Sequence, residues 1–374
     1  MYRYLEEKIK WTLDKSGWQP IVLLLGLRQT GKSTLARNVC GQIKYRLFNF
    51  DLQTDRLEFM DNNRHTLEEF ARRYENEIII VDEVQKLPES TGTIKHLYDN
   101  FHLKFIMTGS SEVAIKKNIS DSMAGRVKIF HLYPLNIKEE LVQKEKISET
   151  DKVGFDDGMI EIQNYLTYGS LPKMLNLKQE EREGYLKDLT NLILSKDMLD
   201  VIEVKSSIKV LTLAKFLAMQ IGQLVSVGEL AMLTELSRPT VYNYLDIFEQ
   251  MNLICRAYPL STNNREAISS KFKVYFTDLG LRNALVNDFR ALNQRLDSGL
   301  LLENAVYMGI KRNNDYEEKV VEQGFFRSER GVEMDIVLKG SDMEKVYEVK
   351  KSDKVRKKDG VEYITMKNAG EFLV

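Results

Sequence analysis

Short apolar runs alternate with amphipathic stretches through the first third of the chain. Ile21–Leu25 is a continuous apolar run that ends at a glycine; Tyr45–Phe50, Ile78–Val81 and Phe105–Met107 resemble it, and Val127–Leu132 alternates more strongly. Apolar runs without alternation suit strands buried on both faces, as in a parallel sheet. Helical spacing fills the gaps, as in Lys32–Cys40 and Thr66–Tyr74, and Tyr2–Asp14 leads in with apolar residues at Tyr4, Leu5, Ile9 and Leu13. Strand and helix in alternation predict an α/β domain with a parallel sheet, assigned to residues 1–145.

The pattern changes after about Gly154. Ile160–Tyr165, Glu181–Leu199 and Lys209–Gln220 carry 3.6-residue spacing, and β-type runs are not evident there. Ser226–Ile254 reads as helix, turn, helix, with Ser237 as N-cap and Pro239 in the first turn, where proline is tolerated. Strand patterns return at Lys319–Phe326, Met334–Leu338, Lys345–Val349 and Glu362–Met366.

Composition narrows the class. A chain of 374 residues accommodates two or three domains. Its 54 Lys and Arg nearly balance 55 Asp and Glu, so nucleic-acid contact would need a local basic patch. Cys40 and Cys255 are far apart and form neither a disulfide framework nor a zinc spacing, and four His exclude a His-rich metal site. No apolar run approaches the roughly 20 residues that span a bilayer. The N-terminus, MYRYLEEKIKW, is charged and lacks the apolar core of a signal peptide. The expectation is a cytoplasmic protein in a reducing compartment, with no membrane contact.

The first apolar run leads into the chemistry. Gly26-Leu27-Arg28-Gln29-Thr30-Gly31-Lys32-Ser33 fits GxxxxGK[ST] at every fixed position, directly after a predicted strand and ahead of a predicted helix. The glycines let the loop wrap, so that backbone N–H groups from Gly26 through Thr34 face phosphate oxygens, and the positive helix end adds to that field. Lys32 is expected to reach the β- and γ-phosphates of ATP, and the Ser33 hydroxyl to ligate Mg²⁺. Ile78–Val81 ends in Asp82-Glu83, at the strand edge where α/β sheets bind ligands. Asp82 is expected to hold Mg²⁺ through water, and Glu83 to orient or deprotonate the attacking water. The fourth run, Phe105–Met107, leads into Thr108-Gly109-Ser110. Either Thr108 or Ser110 sets a hydroxyl near the γ-phosphate, or the segment is a plain Gly-Ser turn. Arg126, just before the fifth run, is either an arginine finger for a neighbouring subunit or half of a surface salt bridge.

GLRQTGKST, IIIVDEVQKLPE, FIMTGSS and AGRVKIFHLYPLNIKE, in this order, resemble the AAA-type ATPases of bacteria and archaea that carry a C-terminal domain of unknown function. YLTYGSLPKML, SRPTVYNYLDIFEQMNLI, KFKVYFTDLGLRNAL and GLLLENAVY extend the resemblance, which runs from about Pro20 to Lys350. It implies an AAA-like parallel-sheet core, then a helical lid (residues 146–205), a winged-helix segment (206–285) and a small α+β domain like PD-(D/E)xK nucleases (286–374).

Two elements of the second half leave alternatives open. The would-be recognition helix, Arg238–Asn252, carries one Arg and no Lys against Asp246 and Glu249, whereas phosphate contacts need cations. Thr240, Tyr242 and Asn243 can still touch base edges, with Lys271 and Lys273 on a wing; the alternative is a packing or partner-binding module. In the tail, Glu303 on a helical pattern, Asp335 on a strand and Glu348-Val-Lys350 resemble the metal site of PD-(D/E)xK nucleases. Period 2 sets Glu348 and Lys350 on one strand face. Carboxylates there bind Mg²⁺ while Lys350 activates water, and Lys350, Lys351, Lys354, Arg356, Lys357 and Lys358 form a basic run for a phosphate backbone. The chain after Lys358 is short for the helix and final strand that such a fold needs, which favours an interaction module. The reading as a whole is an Mg²⁺-dependent ATPase that repositions its C-terminal modules, with a homo-oligomer and DNA or protein partners in view. A nucleotide-regulated binder with negligible turnover and an ATP-coupled nuclease are the alternatives.

Overall fold

The computed structural model describes residues 1–14, 19–61, 63–110, 123–151, 155–198, 206–260, 271–328, 332–341, 344–352 and 359–374. The chain divides into two compact units, Met1–Tyr133 with Gln250–Asn252, and Pro134–Glu249 with Leu253–Val374.

The first unit is built on β1 (Ile21–Leu25), β2 (Tyr45–Asn49), β3 (Ile78–Asp82), β4 (Lys104–Gly109) and β5 (Val127–His131), all parallel, in the order β2-β3-β4-β1-β5. Every residue of β1 is buried, as are Ile78–Val81 of β3. That is why these strands read as unbroken apolar runs. β2 lies at the sheet edge, and Tyr45 and Arg46 are exposed. The connections hold α1 (Leu5–Asp14), α2 (Lys32–Cys40), α3 (Gln53–Met60), α4 (Arg64–Tyr74) and α5 (Ser90–Phe101). In α4 the buried residues Leu67, Phe70, Ala71 and Tyr74 form one stripe at helical spacing, and Asn63 caps the helix by accepting from the His65 N–H. The stripe packs into an aromatic cluster of Phe48, Phe50, Phe59, Phe70 and Tyr74, with ring centroids 4.8–5.8 Å apart. Offset and edge-on pairs of this kind contribute about 0.5–1.5 kcal/mol each beyond their burial. The cluster braces β2 and β3 from one side, so the C-terminal ends of β1, β3 and β4 meet on a rigid edge.

The second unit opens with α6 (Ile137–Gln143), started by a capping box of Asn136 and Glu139, then α7 (Phe155–Tyr168) and α8 (Gln179–Leu192). Then come α9 (Ser207–Met219), β6 (Leu224–Ser226), α10 (Val227–Thr234), α11 (Arg238–Gln250), β7 (Ile254–Ala257) and β8 (Lys271–Phe276). These three strands form an antiparallel sheet in the order β6-β8-β7. The hydrophobic pattern missed them. β6 is too short to establish a period of two, and β7 follows helix α11 closely within the apolar stretch that ends it. α12 (Leu279–Val286) and α13 (Ser298–Tyr316) follow; α13 is buried nearly all round, at Leu301, Leu302, Ala305, Val306 and Tyr307 among others. Its buried polar residues, Glu303, Asn304 and Arg312 among them, sit inside the unit with the apolar ones.

A second sheet closes the chain, with β9 (Glu322–Arg327), β10 (Glu333–Lys339) and β11 (Glu344–Val349) antiparallel and β12 (Val361–Ile364) parallel to β11. The strand pattern at Glu362–Met366 is present as β12, and the four-residue helix α14 (Gly370–Leu373) follows it. The eleven residues between Val349 and Val361 are close to the dozen or so that a parallel crossover needs. Lys354, Arg356, Lys357 and Lys358 of the basic run lie outside the described residues. No helix among the described residues is long and apolar enough to cross a membrane.

Candidate functional site

β1 delivers the chain to the sheet edge and α2 takes it away, so Gly26–Gly31 wraps between a strand end and a helix start. A Cβ on Gly26 would collide with the carbonyl oxygen of Leu132, which is why only glycine fits. Gln29 and Gly31 take left-handed backbone (φ 64° and 93°). Thr30, fully buried, fixes the loop by donating its hydroxyl to the Leu27 carbonyl at 2.9 Å. Leu27 is buried, Arg28 half-buried, and Gln29 and Thr34 exposed. Gly31 N-caps α2 without a side-chain cap, leaving the first N–H groups of the helix to whatever enters the loop. Lys32 folds back over the loop and donates to the carbonyls of Gly26 (2.9 Å) and Leu27 (3.0 Å).

Three more side chains gather beside the loop from β3 and β4. The Ser33 hydroxyl donates to Asp82 Oδ1 at 2.8 Å, and the buried Thr108 hydroxyl donates to the same oxygen. Thr108 Oγ1 also accepts from the Glu83 N–H at 3.3 Å, so one hydroxyl links both acidic residues. Glu83 holds left-handed backbone (φ 57°), uncommon outside glycine, and starts a 3₁₀ turn over Val84–Lys86. Its side chain accepts from Gln85 Nε2 and, at 3.5 Å, from the Ser110 hydroxyl. Gln85 Nε2 also lies 3.1 Å from Ser110 Oγ, while Gln85 Oε1 is buried without a hydrogen-bond partner. Sequence reasoning missed Gln85. The only signal was its place two residues after Glu83, and a 3₁₀ turn had to fold it back before the two side chains met.

Arg126 stands apart from this set. Ile21 pairs with Val127 and Leu25 with His131, so Arg126 lies at the opposite sheet edge, about 15 Å away at a rise of about 3.3 Å per strand residue. Its Nε donates to Asp99 Oδ1 at 2.7 Å, and the guanidinium holds the Asp99 carboxyl below the usual carboxylate range. The fold does not bring Arg126 to the loop of its own subunit.

In the second unit the four tail residues do share one neighbourhood. Lys350 Nζ lies 2.6 Å from Glu348 Oε2 and 3.8 Å from Asp335 Oδ2, and Asp335 accepts from the Val349 N–H at 2.9 Å. Glu303 Oε1 accepts from Lys273 Nζ at 3.0 Å and from the Tyr275 hydroxyl at 2.8 Å. Burial pushes the Glu303 carboxyl up to about 7, against the pull of Lys273. Asp335 is likewise raised by burial. The expectation of Lys273 on an exposed wing is corrected: its side chain is 1% exposed, on a strand that packs inward. Asp246 and Glu249, the acids of the would-be recognition helix, are both paired with Arg256 of β7. Arg238, Tyr242 and Asn243 are exposed on that helix, and Thr240 is half-buried. Among the described residues, no group of three His, Cys, Asp or Glu is arranged to hold a metal ion.

Comparison with known proteins bears on the first unit above all. Residues 159–292 match the family model of a domain of unknown function, DUF8612. An uncharacterized protein of Methanocaldococcus jannaschii is 28% identical over 338 residues, covering 82% of this chain and 70% of that one. Another from the same organism is 25% identical over 292 residues, 74% of this chain and 63% of that one. An uncharacterized protein of Mycobacterium tuberculosis is 24% identical over 353 residues, 89% and 70% of the two chains. Among solved structures, a Walker-type ATPase of Pyrococcus abyssi aligns at a TM-score of 0.49 with 16% identity, over 76% of this chain and 96% of that one. Residues 19–141, which hold the parallel sheet and the glycine-rich loop, match the family model of an AAA domain.

Proposed function

We propose that the chain is an Mg²⁺-dependent ATPase whose nucleotide state repositions its C-terminal modules. The observation that carries this reading is the set Ser33, Asp82, Thr108 and Glu83, joined by hydroxyl bridges beside the glycine loop. ATP phosphates enter the loop from Gly26 to Thr34 and take hydrogen bonds from its N–H groups and from the start of α2. Lys32 exchanges the Gly26 and Leu27 carbonyls for β- and γ-phosphate oxygens. The hydroxyl of Ser33 and the carboxylate of Asp82 are hard oxygen donors side by side and fit Mg²⁺, which supplies neutralisation of phosphate charge when bound. Glu83 takes up or orients the proton of the attacking water. Thr108 fixes Asp82 and the Glu83 backbone, Ser110 and Gln85 steady the Glu83 carboxylate, and Arg126 acts only on a neighbouring subunit.

Further features support the modular half of the proposal. Helix, strand, two helices and two strands, with sheet order β6-β8-β7, support a winged-helix reading of residues 206–285. The mixed sheet β12-β11-β10-β9 beside α13 supports a nuclease-like reading of 286–374. Residues 146–205 serve as the helical lid. A nucleotide-regulated binder of DNA or protein is the second reading, favoured by one observation: Arg256 pairs with Asp246 and Glu249 and offsets one of their two negative charges, so α11 is less acidic to a partner than its sequence.

Equilibrium binding of a fluorescent ATP analogue, followed by phosphate release, tests the main reading. Lys32→Ala is expected to lose binding. Glu83→Gln is expected to bind normally and turn over at least about 100-fold more slowly, because its role begins with the water. Turnover at the wild-type rate by Glu83→Gln refutes the assignment.

A further inference from the structure

A nuclease-like reading of the last domain calls for a divalent ion among Glu303, Asp335 and Glu348. The side chains around these residues do not fit one. Four carboxylates lie around two lysines there: Glu303 from α13, Glu333 and Asp335 from β10, and Glu348 from β11. Left alone, such a group repels itself and either recruits a cation or splays apart. It does neither, because two ammonium groups are already built in. Lys273 Nζ, from β8, lies 3.0 Å from Glu303 Oε1 and 2.7 Å from Glu333 Oε1. It also sits 5.4 Å from the centre of the Phe325 ring, where a desolvated cation is favoured. Lys350 takes Glu348 and flanks Asp335.

We infer that Lys273 occupies, as a resident cation, the place a divalent metal would take, and makes this centre an ion-pair lock between β8, α13 and β10. The physical argument is one of charge and ligands. Mg²⁺ and Mn²⁺ need about six oxygens close around them. Here Glu303 Oε1 is committed to Lys273 and Tyr275, Asp335 Oδ2 accepts from the Val349 N–H, and Glu348 is committed to Lys350. A divalent ion entering beside a buried ammonium meets direct repulsion in a region of low dielectric. Displacing Lys273 would strand its charge inside, since its side chain is 1% exposed. The lock thus holds β8 against α13 and β10, and the carboxylates serve cohesion rather than hydrolysis.

The test is Mn²⁺ binding to the full chain, read by electron paramagnetic resonance without nucleotide. Wild type and Asp335→Asn are expected to bind the same amount of Mn²⁺. Lys273→Met, which keeps the side-chain length and removes the charge, is expected to gain one Mn²⁺ per chain, and Lys273→Met with Glu303→Gln to lose it again. Lys273→Met is also expected to melt at a lower temperature than wild type and to recover part of the difference on adding Mn²⁺. Wild-type Mn²⁺ binding that Asp335→Asn removes would overturn the inference, as would a folded Lys273→Met protein with no new Mn²⁺ site. If Lys273→Met does not fold, the comparison of wild type with Asp335→Asn decides alone.

Discussion

Asp82 Oδ1 accepts two hydroxyls, from Ser33 and from Thr108, and Thr108 Oγ1 in turn accepts the backbone N–H of Glu83. In the proposed mechanism Thr108 therefore links the metal-side and water-side halves of the site. Thr108→Val removes the hydroxyl at nearly constant shape and leaves two polar groups short of a partner. An unsatisfied buried partner costs about 1–3 kcal/mol, so we expect kcat to fall about 10- to 100-fold with KM little changed. Steady-state kinetics of the purified variant decides this; an unchanged kcat would remove Thr108 from the mechanism. Thr108 and Ser110 were legible in the sequence as polar residues closing an apolar run. Gln85 was not, because its contact with Glu83 depends on a left-handed residue and a 3₁₀ turn. Lys273 was misread for a related reason. Its carboxylate partners lie 30 and 60 positions further along the chain, and local pattern carries no trace of them.

At the scale of elements, two junctions show glycines that packing itself demands. The first is the turn from β1 into α2. Gly26 touches the backbone leaving β5, which the glycine-loop pattern requires only for phosphate binding and the fold requires for packing. Gly26→Ala is expected to destabilise the chain by more than about 1 kcal/mol, since a Cβ forced against backbone can be relieved only by shifting the strand end. Urea unfolding measures it, and a neutral result would show that the loop relaxes freely. The second junction joins α7 to α12. Asp278 caps α12 by accepting from the Leu281 N–H (3.1 Å) and reaches the Ser170 N–H (2.9 Å). A Cβ on Gly169 would strike its carboxylate, and one on Gly280 would strike the Tyr168 carbonyl, so YGS and DLG are packing motifs. Burial raises the Asp278 carboxyl to about 6. The unfolded value is about 3.9, so the folded state binds the proton more tightly. Between about pH 4 and 6 this group therefore loses stability as pH rises, and above that window the loss is complete. Asp278→Asn has no such proton to lose. Urea unfolding from pH 4 to 7 should show wild type falling relative to Asp278→Asn, and a rising wild-type advantage would contradict it. Central strands were legible because burial on both faces leaves no polar position to confuse the pattern. β6 and β7 were not, because short strands beside helices share the apolar residues of those helices.

For the whole molecule, the chain divides into two compact units, and the glycine-rich loop lies in the first. Arg126 sets the condition for cooperation between copies. It lies at the sheet edge remote from its own loop and is paired with Asp99, so a catalytic Arg126 must serve a neighbour. Lys32→Ala and Arg126→Ala proteins, each inactive alone, are then expected to regain turnover when mixed. Full activity of Arg126→Ala by itself would reduce the residue to its salt bridge. The glycine loop was legible because its pattern lies in eight consecutive residues, whereas the ion-pair centre of the tail is assembled from four elements. The central claim is hydrolysis itself, and steady-state phosphate release by the full chain tests it most directly, measured alone, with DNA and with RNA, and in Mg²⁺ or EDTA. The account predicts Mg²⁺-dependent release from wild type in at least one of these conditions, abolished by Lys32→Ala and by Glu83→Gln. Tight ATP binding with no Mg²⁺-dependent release under any of them would contradict it and leave a nucleotide-regulated binding protein.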